Sequence, residues 1–209
     1  MKKIILALLI VLVTGVNFAW AEESASAEEA LPLEIQLLTK TAEAGDVRAQ
    51  IDLGKAYYIG IFMEENQKHK YDHTQAIYWF TKAAEQEHPE AEYFLGQIYY
   101  WGDTSFNGGV EQDYEQSVYW FTKSAEQGYA ESQHYLGWMY FDGEGVLKDN
   151  KTAYMWASLA IGNLDDSEKE AGCRELLEEL EAEMTLEETW DAHNMAMDWL
   201  EQHEAEQIK

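Results

Sequence analysis

The side chains of this 209-residue chain that could do chemistry are a single cysteine, six histidines and forty acidic residues. Cys173 could act as a nucleophile only as a thiolate beside a histidine base. Its flanks, Ala171-Gly172-Cys173-Arg174-Glu175, read as an ordinary turn of helix. His69 and His73 are four apart, a spacing that suits two metal ligands on one helix face. They straddle an expected loop-to-helix boundary, however, and no third ligand adjoins them. Close carboxylate pairs, the usual apparatus of hydrolases, arise by number alone among forty acids. No G-x-S-x-G, Gly-rich phosphate loop, H-E-x-x-H or calcium-loop pattern occurs. The expectation is a non-enzymatic chain with no catalytic residue, metal or cofactor.

What must position any functional side chain is a repeat. AEAGDVRAQIDLGKAYYIG from Ala42, AEQEHPEAEYFLGQIYYWG from Ala84 and AEQGYAESQHYLGWMYFDG from Ala125 align without a gap, recurring after 42 and then 41 residues. From Trp120 to Trp156 the step shortens to 36. A period of this size is that of helix-turn-helix units stacked into a solenoid, an architecture that mainly offers surface.

Within each copy the first helix carries a stripe at steps of four: Ala49, Leu53 and Tyr57; Ala91, Leu95 and Tyr99; Ser132, Leu136 and Tyr140. Gly54, Gly96 and Gly137 follow each Leu. A helix-interior Gly costs about 1 kcal/mol relative to Ala, so its return in one column implies a gain, most simply close backbone approach of a partner helix. Gly60, Gly102 and Gly143 read as left-handed helix stops. Asp72, Asp113 and Asp149 read as N-caps of the second helices, which continue to Trp79-Phe80, Trp120-Phe121 and Trp156-Ala157. Trp79, Trp120 and Trp156 are expected to fill the space between layers.

These motifs resemble the Sel-one-like repeat family, in the tetratricopeptide-like superfamily. The family pattern is small residue, Leu-Gly, aromatic, Gly, often Gly-Val with a following Asp, then Ala-x-x-Trp; Gly143-Glu-Gly145-Val146-Leu-Lys-Asp149 fits its whole linker, and Gly109-Val110-Glu-Gln-Asp113 the second half of that linker. The resemblance covers about residues 37–162. It implies an all-α, right-handed α-α superhelix of about three repeats with helical end caps, and an adaptor role. The chain is similar to the cysteine-poor exported branch, so the disulfide-pinned hairpins of cysteine-rich relatives, and any hydrolytic activity associated with them, do not carry over.

At the N-terminus, Lys2 and Lys3 precede an apolar run from Ile4 to Val13, and Ala19-Trp20-Ala21 offers small residues at a cleavage site. Residues 1–21 therefore read as a signal peptide and 22–32 as a flexible acidic leader. The repeats are expected over 33–162, as an N-terminal half-repeat at about 33–44 and copies at 46–86, 89–127 and 130–162. Acidic capping helices are expected at 163–209. Ser167 with Glu170 and Thr185 with Glu188 have the form of capping boxes, placing helices at about 167–182 and 186–206. The loops at 61–71 and 103–108 are longer than the corresponding turn before Asp149.

The cleaved chain would carry 12 basic against 40 acidic residues, a net of −28. Such an excess repels nucleic acid and anionic lipid, both of which need Lys or Arg against phosphate. The expected protein is a periplasmic or secreted monomer with no stable membrane insertion after cleavage. It would bind an unidentified protein partner through the groove of the solenoid. A peptidoglycan- or glycan-binding module and a cell-wall-amide hydrolase are the alternatives. One step out from the core stripe, Tyr93, Gln97, Trp101, His134 and Trp138 are the candidate binding residues of the concave face. Ile51, Lys55, Ile59 and Asp142 share those columns.

Overall fold

A computed structural model describes residues 27–60, 72–102, 109–164 and 166–207, with side chains placed from 35 to 203. The loops at 61–71 and 103–108, the signal segment and His69 lie outside the described residues. Nine helices are described: α1 Ala27–Glu43, α2 Val47–Ile59, α3 His73–Ala84, α4 Pro89–Trp101, α5 Tyr114–Glu126, α6 Ala130–Asp142, α7 Asn150–Ala160, α8 Ser167–Glu183 and α9 Leu186–Gln207. The first of these begins six residues ahead of the expected half-repeat. None of them is long and apolar enough to cross a membrane. The chain forms two compact units, residues 1–86 and 87–209.

In the first unit α2 packs on both α1 and α3. Its core joins Ala42, Ala49, Leu53 and Trp79, flanked by Leu38 and Tyr57. In the second unit α4 pairs with α5 and α6 with α7, and the two hairpins meet through α5 and α6. Helix α8 lies against α6 and α7, while α9 lies along α7. The main core gathers Tyr93, Phe121, Leu136, Met139 and Trp156. A second cluster joins Ala153, Ala157, Leu176, Leu180 and Ala192, so α8 and α9 bury their apolar residues on the last repeat hairpin.

Local chemistry explains the helix starts. Asp72, Asp113 and Asp149 each accept a backbone N–H of the first turn, from Gln75, Gln116, and Lys151 with Thr152. Asp46 does the same for Ala49 at the head of α2. At α9, the Thr185 hydroxyl accepts from the Glu188 N–H while the Glu188 carboxylate accepts from the Thr185 N–H at 2.8 Å. The box expected at Ser167 is not formed. Asp166 one residue earlier is the N-cap and takes the N–H groups of Glu168 and Lys169, because a carboxylate satisfies two orphan donors there.

The stops at Gly60 and Gly143 are left-handed, at φ 73° and 76°. Gly102 departs from the expectation in part: its φ of 59° is positive, but its ψ of 167° lies outside the left-handed helical region. A Cβ there would fall 2.6 Å from the Gln112 nitrogen, so the chain turns directly into the segment leading to α5.

The glycine column also has a different cause from the one expected. At Gly54 and Gly96 the close neighbour is an aromatic side chain, Phe80 and Phe121 respectively, and both rings are fully buried. In the third copy the partner position is Ala157, and a Cβ on Gly137 would meet Leu176 at 3.3 Å and both the Cβ and the backbone nitrogen of Ala157 at 3.4 Å, so here alone among the three the backbone itself is among the nearest neighbours. Ser117 completes the seam between α4 and α5 by donating its hydroxyl to the Gly96 carbonyl at 2.9 Å.

Candidate functional site

The core columns separate by depth. Leu53, Leu95 and Leu136 are fully buried, as are Gly54, Gly96 and Gly137 as positions, and Trp79 and Trp156 are nearly so. Tyr57 and Tyr140 are half-buried against the core. Tyr99 and Trp120 are half-buried too. Trp120 is less deeply buried than its counterparts Trp79 and Trp156: its ring meets Tyr119 edge-on and lies 5.5 Å from the Lys123 ammonium.

Of the five candidate binding residues, only Trp101 stands well out in solvent, 62% exposed at the end of α4 with its ring edge-on to Tyr100. Tyr93 must be corrected. It is 6% exposed and sits among Phe94, Phe121, Tyr129 and Tyr135. Helix α4 faces both α5 and α6, so a residue one step off the main stripe is still inside. Ile51, fully buried in α2, is displaced from the expected surface for a parallel reason, since α2 is flanked by α1 and α3. Gln97 donates to the Tyr135 hydroxyl at 3.2 Å. Trp138 is half-buried against the cluster shared by α7 and α8 and meets Phe141 edge-on.

His134 belongs to a contact that sequence spacing could not show. Its Nδ1 lies 3.1 Å from Sγ of Cys173, which is fully buried in α8. Gly172 lies beside the imidazole, where a Cβ would make an ordinary contact with Cε1 at 3.5 Å. Burial, and then the Glu170 charge, push the thiol up to about 11. Burial, and then Lys169, bring the imidazole down to about 4. At neutral pH the pair is therefore a thiol hydrogen-bonded to a neutral imidazole, the opposite of the thiolate–imidazolium pair that covalent catalysis uses. His73, the other singled-out histidine, stacks on Tyr58.

Two polar features connect successive parts of the second unit. Glu92, fully buried in α4, receives Lys123 Nζ at 3.3 Å and the Gln127 amide at 2.6 Å. Burial raises its carboxyl above the ordinary range, and the Lys123 and Gln127 contacts oppose that rise. The charge of Glu144, in the turn after α6, adds to burial in raising the phenols of both Tyr100 and Tyr114 above their ordinary range.

A cavity of about 520 Å³ opens where the start of α6, the end of α7 and α9 converge. Tyr129, Glu131, Gln133, Asn163, Trp199 and His203 are among its walls. The His203 imidazole stacks on Trp199 at 4.4 Å and 17°, and Trp199 in turn meets the buried Trp156 edge-on. Part of this wall comes from α9, outside the repeated columns, so comparing copies could not have located it.

Comparison with known proteins agrees with this architecture. The Sel1 repeat profile matches residues 47–88, 89–129 and 130–161. A protective antigen with an SLR fold, present in uropathogenic Escherichia coli strains, superposes with a TM-score of 0.68 at 27% identity, over 98% of this chain and 39% of that one. A Sel1 repeat protein from Oxalobacter formigenes gives a TM-score of 0.53 at 30% identity, over 68% of this chain and 98% of that chain. An ERAD-associated E3 ubiquitin-protein ligase component, HRD3A, from Arabidopsis thaliana is 33% identical over 69 residues. That match spans 33% of this chain and only 9% of the plant protein. With three tandem profile matches laid over α2 to α7 and an all-α helical-repeat fold of the solenoid class, the chain belongs to the Sel1 repeat family.

Proposed function

We propose that this chain is an exported, non-enzymatic adaptor that holds a protein partner on the surface of its repeats. The observation that carries the reading is the triple Sel1 array itself, whose recurring residues serve packing while the columns beside them vary. Trp101 is the side chain best suited to anchor a partner, a large ring presented to solvent from a rigid helix. The excess of acid over base favours a partner with a basic face. HRD3A, a component of a ligase assembly by its name, is one example of Sel1-type sequence used within a multiprotein complex.

Export rests on the N-terminal sequence: Lys2-Lys3, the apolar run and Ala19-Trp20-Ala21. Fractionation of cells with N-terminal sequencing of the product is expected to return a chain starting at Glu22 outside the cytoplasm. A photo-crosslinking amino acid at position 101, followed by mass spectrometry, is expected to trap discrete protein adducts. Recovery of only glycan adducts, or release of fragments from purified cell wall by the protein, would replace the adaptor reading with one of the cell-wall readings.

A further inference from the structure

Helix α9 carries two apolar faces, and the fold uses one of them. Ala192 and Ala196 are buried, and Met195 and Trp199 pack against the main core, so the inner face seats the helix on the last hairpin. The other face is a row of Leu186, Trp190, His193, Met197 and Leu200, at successive steps of four, three, four and three residues. All five are exposed, Leu186 by 93% and Trp190 by 65%. Apolar residues scattered singly over a surface need no explanation, but this alternation of steps is that of a seam between paired helices. It runs for about 21 Å, at roughly 1.5 Å per residue, along a helix already held by its inner face. Within the row the Trp190 ring stacks on His193 with centroids 6.4 Å apart, so its position is partly fixed before any partner arrives.

The charges beside the row decide what can cover it. From Glu187 to Glu201 the helix holds five acids and no lysine or arginine. By helical spacing Glu187, Asp191, Asp198 and Glu201 all fall along one side of the row. Lys151 of α7 reaches Asp191 at 3.3 Å, whereas Glu187, Asp198 and Glu201 have no ion pair among the described residues. A second copy of this chain, with its net charge of −26, would set acid against acid along the seam. Anionic lipid is repelled on the same ground. A helix with an apolar row of its own and lysine or arginine along the flank meets both demands, covering the exposed side chains and neutralising the acids.

We infer that the outer face of α9 is a docking seam for a basic amphipathic helix of the partner protein, with Trp190 and Met197 as its apolar anchors and Glu187, Asp198 and Glu201 attracting the basic flank. The inference rests on the adaptor reading above, though it concerns a different helix from that of Trp101 and names the chemistry that the partner must present.

The test is a titration of the full chain with a synthetic helical peptide of three heptads, leucine at a and d and lysine at e and g, followed by NMR at the Trp190 indole N–H. It is run in about 150 mM salt, where general attraction to the acidic surface is screened. Saturable shifts are expected, with affinity at least about tenfold weaker for a glutamate-for-lysine version and for a scrambled peptide of the same composition. Met197→Glu, at an exposed position, is expected to weaken binding by about tenfold or more while the melting temperature stays unchanged. Glu187→Lys, Asp198→Lys and Glu201→Lys together are expected to exchange the preference between the lysine and glutamate peptides. Equal binding of the scrambled peptide, indifference to Met197→Glu, or no saturable shift would overturn the inference. So would dimers that Met197→Glu dissolves, which give the face to a second copy, or a Trp190 response to phosphatidylglycerol vesicles, which gives it to lipid. A photo-crosslinking amino acid at position 197 is expected to trap, in cells, a segment whose sequence carries an apolar row flanked by lysine or arginine. Protein adducts at position 101 with none at 197 would defeat this inference alone; a seated peptide without protein adducts at either position would defeat the adaptor reading alone.

Discussion

Gly96 and Phe121 are apposed so closely that a methyl group on the glycine would sit 2.5 Å from ring carbon Cδ1. The ring is fully buried between α4 and α5 and has nowhere to retreat, so the pair defines how near the two helices lie. Gly96→Ala is expected to cost up to about 2 kcal/mol, an overpacking penalty of roughly 1–3 kcal/mol less the helix-propensity gain of about 1 kcal/mol. Gly137→Ala, facing the smaller Ala157 and the flexible end of Leu176, is expected within about 1 kcal/mol of wild type. Urea denaturation midpoints of the two variants separate these outcomes, and adding Phe121→Leu should recover part of the loss in the first.

The His134 imidazole, held down to about 4 by burial, makes stability depend on acidity in a stated direction. The unfolded chain, with an ordinary histidine near 6.5, takes up a proton there between about pH 6.5 and 4 while the folded chain does not. Stability from this residue is therefore complete above about pH 6.5 and is lost as the pH falls towards 4. The loss is on the order of 2 kcal/mol once partial solvent contact of the ring is discounted. A His134→Gln variant should lack this part of the pH dependence, read as the difference between two denaturation curves over that range.

Cys173 is expected to be silent towards thiol reagents in the folded protein, being both fully buried and held in the thiol form up to about 11. Ellman's reagent should react with about one equivalent only after denaturation, at a rate in native buffer set by opening of α8. Oxidation without denaturant should yield no disulfide-linked dimer. Rapid labelling at pH 7 would show that α8 does not stay seated on α6 and α7.

For Glu92 the sign is reversed relative to His134. Its carboxyl is raised by burial, so the folded chain holds this proton more tightly than the unfolded one, and stability from the site is present at low pH and lost as pH rises through the raised value. Glu92→Gln, which restores the amide found at Gln50 and Gln133, is expected to remove that loss and leave a flatter stability curve above pH 4. Should the variant be markedly less stable at pH 7, the Lys123 contact would outweigh the desolvation that opposes it.

The parts of this protein visible in the residue pattern were those repeated in three contexts. Leu53, Leu95 and Leu136 report one environment three times, and Asp72, Asp113 and Asp149 repeat one capping geometry. Periodicity misplaced Tyr93, because a single stripe describes a helix with one covered face and α4 has neighbours on two. The Trp column was legible as large rings but not as three equal burials, since Lys123 lies over Trp120. Least visible were features that break the repeat. His134 and Cys173 meet across 39 residues with no counterpart in the other copies, and the cavity beside Gln133 and Asn163 takes the rings of Trp199 and His203 from α9.

Helices α8 and α9 occupy the flanks of α7 that a further hairpin would need; α8 turns a mostly charged surface outward, while α9 leaves Leu186, Trp190, Met197 and Leu200 exposed among its acids. Tandem arrays are vulnerable to growing end on end, since each final unit presents to solvent the same seam its predecessor hides. Here that seam is closed by sequence unlike the units it seals. The number of hairpins is thus set by where the pattern was terminated, and duplication of a unit would lengthen the array only if it entered ahead of α8.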